Sequence, residues 1–275
     1  MLGALRTADD DRWYRLALGL LVLAAWVVLA LWGASPQAGR LHHDPAHHAE
    51  SAAVAGTGED ASSPVSGLLV FVPGWMLMTV AMMLPGMLPL LNLFRRVTSG
   101  RAHRDLLLIL MGLGYLAVWA VFGVAAYGGD RILHELVDRI LWLRRAAWSI
   151  PAIVLLGAGI YQFTSLKEKC LAECRSPYAF LVGSWHGRRP GREAWQLGLR
   201  HGVFCAGCCW TLMLLMFAVG VAHLGWMLAL GAVMSAERAM PWGRRLTRPA
   251  GALLILWGAL LIVRGALRIA AGLPA

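Results

Sequence analysis

The sequence predicts an all-α membrane protein, a bundle of about seven transmembrane helices with a cytoplasmic N-terminus. The first observation is composition: 59% of the 275 residues are hydrophobic and 15% are charged, whereas a soluble domain has about 25% charged residues. The second is the mean hydropathy of +0.62. The third is a series of long apolar runs, most of which approach the ~20 residues that a helix needs to cross a bilayer.

The predicted spans can be read directly from the apolar runs. They are residues 16–34, 67–94, 105–127, 150–166, 202–220, 222–236 and 250–270. The sixth run is short, so six spans is the alternative count. We divide the chain into an N-terminal tail with the first span (1–34), a flexible loop (35–66) and a helical membrane domain (67–270). Acidic residues Asp9, Asp10 and Asp11 precede the first run, which favours a retained anchor over a cleaved signal peptide.

The distribution of Lys and Arg orients these spans. With a cytoplasmic N-terminus, the inner segments hold 18 Lys and Arg residues and the outer segments hold 7. This asymmetry agrees with the positive-inside rule and predicts a multi-pass protein of the bacterial inner (plasma) membrane, with the lipid bilayer as its surroundings. Topology also accounts for the net charge of +10, so no nucleic-acid partner is expected.

The loop 35–66 is rich in Ala, Gly, Ser and His, and should be flexible and external. Four histidines lie within seven residues of it: His42, His43, His47 and His48. They are compatible with a solvated spacer or with a weak, secondary metal-gathering segment, since neutral imidazole binds copper and zinc.

The five cysteines form two groups on two predicted helices. On a helical wheel, His201, Cys205, Cys208 and Cys209 fall within an arc of about 100°. Cys170 and Cys174 are four residues apart and share a face. The fourth helix should continue past the membrane boundary to about Arg175. Both groups then lie at the cytoplasmic ends of their helices, and we predict that these six residues bind a metal ion.

Other roles for the cysteines are packing and redox chemistry. Structural disulfides are disfavoured on a reducing, cytoplasmic side. Several thiolates with one imidazole suit Cu(I) or Zn(II). Nearby methionines favour copper, because a thioether is a soft donor. The candidates for secondary metal contacts are Met82, Met83 and Met216, although methionines also fill apolar cores.

Two stretches carry a resemblance to a known family. The first contains Tyr161-Gln162, Leu166-Lys167, Cys170 and Cys174-Arg175-Ser176-Pro177, and the second contains Gly198-Leu199-Arg200-His201-Gly202, Cys205 and Gly207-Cys208-Cys209-Trp210. They resemble the motifs of a bacterial family of integral membrane proteins, a domain of unknown function described as metal-binding. Trp75, Ala81-Met82-Met83-Leu84-Pro85 and Glu237 also match, whereas Gly86 stands where a serine is common. The resemblance covers residues 67 to 265 and implies metal binding in a membrane.

These observations predict transport or handling of a soft metal ion at the two cysteine groups. One alternative is a membrane thiol–disulfide oxidoreductase, since Cys205 and Cys208 have the C-x-x-C spacing. Another is a metal-containing accessory subunit, with a second membrane protein or another copy of the chain as partner. Neither a phosphate-binding loop nor a serine-nucleophile motif is present in the sequence, which argues against an ATP-driven pump or a serine hydrolase. An enzymatic role is the less favoured interpretation.

Overall fold

A computed structural model describes residues 2–33, 64–101, 103–219 and 224–271, and these ranges contain helices and no β-strand. The all-α prediction is therefore confirmed for the described residues. The helices are α1 (Leu2–Gly33), α2 (Pro64–Val97), α3 (Arg104–Arg139), α4 (Leu141–Arg145), α5 (Ile150–Tyr161), α6 (Ser165–Arg175), α7 (Pro177–Ser184), α8 (Pro190–Val219), α9 (Leu224–Ala239) and α10 (Gly243–Ala270). A 3₁₀ turn, Ala147–Ser149, precedes α5.

Four helices, α2, α3, α8 and α10, are long and apolar enough to cross a membrane in the described ranges, and a bent pair of helices could provide a fifth span. The count of seven is not confirmed. In the first helix the apolar part is the short stretch Leu16–Leu31, and α9 has 16 residues, so both are shorter than a typical span. The orientation of the N-terminus stays a prediction, and the histidine-rich loop lies outside the described residues.

The fourth predicted helix is not continuous. It breaks after Tyr161, and α6 leaves the direction of the preceding helix at 65°. Thr164 has an extended backbone conformation and its side chain accepts a hydrogen bond from the Lys167 N–H, which starts a new helix at Ser165. This is a regular N-cap. The predicted end at Arg175 is correct, since Ser176-Pro177 starts the next helix, but continuity from residue 150 is wrong.

Helix α8 lies at the centre of the bundle, where it packs against α3, α5, α6, α7 and α9. Its closest neighbour is α3. Glycines make this approach possible: a Cβ on Gly198 would collide with the backbone carbonyl of Met111, and a Cβ on Gly114 would collide with that of Trp195. Small residues let the two backbones touch, as they do at close helix crossings in membranes. The cysteine face of α8 is thereby fixed relative to α3.

Candidate metal centre

The cysteines of α8 point into the core of the bundle. Cys205, Cys208 and Cys209 are each exposed by no more than 2%. The Cys208 and Cys209 thiols both turn back along the helix to the Cys205 carbonyl, at 3.1 Å and 2.9 Å. Such bonds satisfy a thiol locally in an apolar interior. The three side chains therefore lie side by side, as the helical wheel predicts.

Helix α6 contributes the other two cysteines from the break after Tyr161. The Cys174 thiol lies beside those of Cys205 and Cys208. Cys170 sits one turn earlier, against the backbone of α8, where a Cβ on Gly207 would come within 2.7 Å of its sulfur. Glycine at position 207 leaves the space for that thiol. The structure thus brings both predicted groups together, with Cys170 at the edge.

Helix α2 supplies a fifth sulfur to this centre. The Met83 Sδ atom lies 3.9 Å from Cys209 Sγ, and Met83 is fully buried. We use the name sulfur cluster for Cys174, Cys205, Cys208, Cys209 and Met83. Its donors come from α2, α6 and α8, three helices that are far apart in sequence.

A buried arginine on α9 contacts the sulfur cluster. The Arg238 guanidinium donates from Nη1 to Cys205 Sγ at 3.1 Å and from Nη2 to Met83 Sδ at 3.0 Å. Its Nε donates to the Met234 carbonyl at 3.1 Å. The Tyr115 hydroxyl also shares a hydrogen bond of 3.2 Å with Cys205 Sγ. Cys205 is therefore the most strongly hydrogen-bonded sulfur of the group.

The remaining predicted residues lie around this cluster. His201, one turn before Cys205, is buried between aromatic rings, with ring centroids 5.8 Å from Tyr115 and 5.5 Å from Phe180. Met82 is buried towards α9, where its Cε would lie 3.5 Å from a Cβ on Gly231. Met216 is fully buried deeper in α8. His42, His43, His47 and His48 lie outside the described residues.

A buried ion pair joins α6 to α9, and its acidic member, Glu237, directly precedes Arg238 in the sequence. Lys167 Nζ and Glu237 Oε2 are 2.7 Å apart, and the two side chains are exposed by 1% and 2%. The other carboxylate oxygen of Glu237 is buried without a hydrogen-bond partner. Arg175 donates to the Glu237 carbonyl at 2.5 Å. The helix that carries Cys170 and Cys174 is thus clamped to the helix that carries Arg238.

The chemistry of the donors suits a soft metal, but their present arrangement is not that of a closed site. Among the described residues, no group of three or more His, Cys, Asp or Glu side chains is placed so that it could hold a metal ion. The physical reason is visible in the hydrogen bonds: two thiols face a backbone carbonyl, and a guanidinium lies between Cys205 and Met83. The ligand role of the predicted residues stays a prediction.

The fold and this centre define a class: an all-helical protein with several membrane-length apolar helices around a buried, sulfur-rich centre. The sequence profile of the PpoB2 family, described as a copper chaperone, matches residues 72–261. The match covers more than half of the chain, so the chain belongs to this family. No curated protein and no solved structure matches the chain significantly. The predicted link to metal handling is confirmed at the level of the family, whose description names copper.

Sequence reasoning missed Arg238. Its position in a run with Arg244, Arg245 and Arg248 placed it among the charges that orient a loop, whereas its side chain is buried and directed into the core. The sequence offered one signal: Gly86 stands where a serine is common. The structure explains this departure, because a Cβ at position 86 would lie 2.8 Å from the Arg238 Nη1 atom.

Proposed function

We propose that this chain is a membrane-embedded copper carrier that binds Cu(I) at the sulfur cluster and passes it on. The observation that carries the proposal is the convergence of four buried thiols and one thioether from three helices. Thiolate and thioether sulfurs are the donors that select Cu(I) in proteins. The copper chaperone description of the family supports the same metal.

Copper is here a cargo that enters and leaves, and the arrangement of the thiols fits that role. Cys208 and Cys209 each donate a hydrogen bond to the Cys205 carbonyl, and such a bond contributes only about 1 kcal/mol. Rotation of these side chains exchanges the carbonyl for a metal ion at low cost. A site of this kind can release its ion without unfolding the bundle.

We place the carrier in the bacterial plasma membrane, with the sulfur cluster near the cytoplasmic face. Four apolar helices of sufficient length support the membrane assignment, and the 18-to-7 distribution of Lys and Arg supports the orientation. The edge position of Cys170, whose sulfur lies against Gly207 and outside the sulfur cluster, suits a thiol that receives or delivers the ion. A second membrane protein or another copy of this chain would be its exchange partner.

The test is copper occupancy after anaerobic purification in detergent. We compare the parent with Cys205→Ser, Cys174→Ser and Cys170→Ser, each loaded with Cu(I) and desalted in the same way. Cys205→Ser and Cys174→Ser should lose most of the bound copper, because they remove donors from two different helices. Cys170→Ser is the matched control on α6 and should keep most of it.

The outcome is decisive in both directions. Equal occupancy in the parent and in Cys205→Ser would contradict a site at the sulfur cluster. If Cys170→Ser loses as much copper as Cys174→Ser, Cys170 is a ligand and not a transfer thiol. Zinc in place of copper, at one ion per chain and dependent on the same cysteines, would contradict the choice of metal.

A further inference from the structure

The Arg238 guanidinium is unusual because sulfur atoms, and not a carboxylate, surround it. It is 8% exposed, and all three of its nitrogen positions donate to acceptors in the core: Cys205 Sγ, Met83 Sδ and the Met234 carbonyl. Arginine stays protonated in proteins, so this is a permanent positive charge. None of the ion pairs formed within the described part of the chain includes it.

A buried charge without a partner is costly, so its location requires an explanation. Glu237, the residue before Arg238 in the sequence, directs its carboxylate to Lys167 and not to the guanidinium. The ionisable groups that face Arg238 are the thiols of Cys205, Cys208 and Cys209, the Tyr115 hydroxyl and the His201 imidazole. The charge is therefore placed where negative charge arises when thiols bind a metal.

Charge balance links this geometry to copper. A Cu(I) ion held by two thiolates carries one net negative charge, which is expensive in an apolar interior. One guanidinium cancels it. The hydrogen bond to Cys205 can persist in the loaded state, because a metal-bound thiolate still accepts N–H donors, and such bonds tune metal–sulfur centres.

We propose that Arg238 is the counter-ion of the Cu(I)–thiolate centre, a positioning residue that fixes Cys205 and neutralises the loaded site. This inference rests on the proposed function. Gly86 is the second part of the device, because the absence of a side chain on α2 leaves the space that the guanidinium fills. Larger residues at position 86 would push the charge away from Cys205.

The experiment measures Cu(I) affinity by competition with bicinchoninate, anaerobically and in detergent. The variants are Arg238→Met, Arg238→Lys and Gly86→Ala, and exposed Arg245→Met is the control. Arg238→Met should bind Cu(I) about 10- to 100-fold more weakly, the usual cost of removing a group that supports a metal ligand. Arg238→Lys keeps the positive charge but lacks the planar set of guanidinium donors, so its Cu(I) affinity should lie between those of the parent and Arg238→Met. Arg245→Met should match the parent.

A second measurement separates charge balance from a structural role. The metal-free Arg238→Met protein should melt no lower than the parent, since replacing a buried charge by an apolar side chain is often neutral or stabilising. Gly86→Ala should bind copper more weakly, because its Cβ would lie 2.8 Å from the Arg238 Nη1 atom and would displace the guanidinium from Cys205. The counter-ion role would be overturned if metal-free Arg238→Met melts lower than the parent and Arg238→Lys binds Cu(I) no more tightly than Arg238→Met does.

The two proposals fail in different ways. If the parent binds Cu(I) through Cys205 and Arg238→Met binds it within twofold of the parent, the counter-ion is wrong and the copper site stands. If Cys205→Ser binds copper as well as the parent does, the proposed site is wrong, and Arg238 has no centre to balance.

Discussion

Removing one partner of the buried Lys167–Glu237 pair should strongly destabilise the protein. The two groups are 2.7 Å apart and almost fully buried, so Glu237→Gln leaves an unpaired ammonium in the core. Breaking such a pair costs about 3–5 kcal/mol. We expect the lower end, about 3 kcal/mol, because one carboxylate oxygen has no hydrogen-bond partner and the pair is imperfect. For a chain of this size the loss corresponds to roughly 6–12 °C in melting temperature.

The assay is thermal unfolding of the metal-free protein in detergent, followed by circular dichroism. Lys169→Met is the matched control, since Lys169 is exposed on the same helix two residues away, and it should change the melting temperature little. The double variant Lys167→Met/Glu237→Leu should recover most of the loss, because it removes both charges.

Two results would refute the reasoning. If Glu237→Gln melts at the temperature of the parent, the pair does not hold α6 to α9. If the double variant is as unstable as Glu237→Gln, the loss comes from packing and not from an unpaired charge.

Three further predictions concern packing, the loop and topology. Gly114→Ala should lower the free energy of unfolding by about 1–3 kcal/mol, because its Cβ would collide with the Trp195 carbonyl. Gly112→Ala is the control and should leave stability unchanged, since a Cβ there would meet open space. Equal melting temperatures of the two variants would contradict the close α3–α8 contact. Replacing His42, His43, His47 and His48 by Ala should leave tight copper binding intact, and loss of stoichiometric binding would put the principal site in that loop. A reporter fused after Gly187 should signal the cytoplasm, and a periplasmic signal would reverse the orientation.

The helices were predictable because their causes are local. Apolar runs with few charges specify helices wherever they occur, and Ser176-Pro177 ends α6 as expected. The break at Thr164 was not predicted, although a threonine that caps a new helix has a recognisable sequence pattern. The apolar composition around it outweighed that signal. The count of seven spans is not confirmed, because an apolar run gives the composition of a helix and leaves its path through the bundle undetermined.

In the candidate site, as in the fold, the positions within one helix were predictable and the contacts between helices were not. Wheel positions placed Cys205, Cys208 and Cys209 on one face, and the structure agrees because α8 is an uninterrupted helix. The contact between α6 and α8 was predicted only indirectly, from two groups of cysteines placed at the same depth in the membrane. The contact between Met83 and Cys209 depends on how α2 lies against α8. No local pattern specifies that contact, so sequence alone left Met82, Met83 and Met216 as equivalent candidates.

The last turn of α9 joins the two buried charged features. Glu237 and Arg238 are consecutive, so their side chains leave the helix about 100° apart. One pairs with Lys167 on α6, and the other reaches Cys205 on α8 and Met83 on α2. If α6 moves during the proposed copper transfer through Cys170 and Cys174, that movement would therefore act on Glu237 and, through the helical turn, on Arg238. Copper affinity should consequently fall in Glu237→Gln as well, although Glu237 offers no donor to the sulfur cluster. Unchanged affinity in that variant would show that the ion pair and the sulfur cluster act independently.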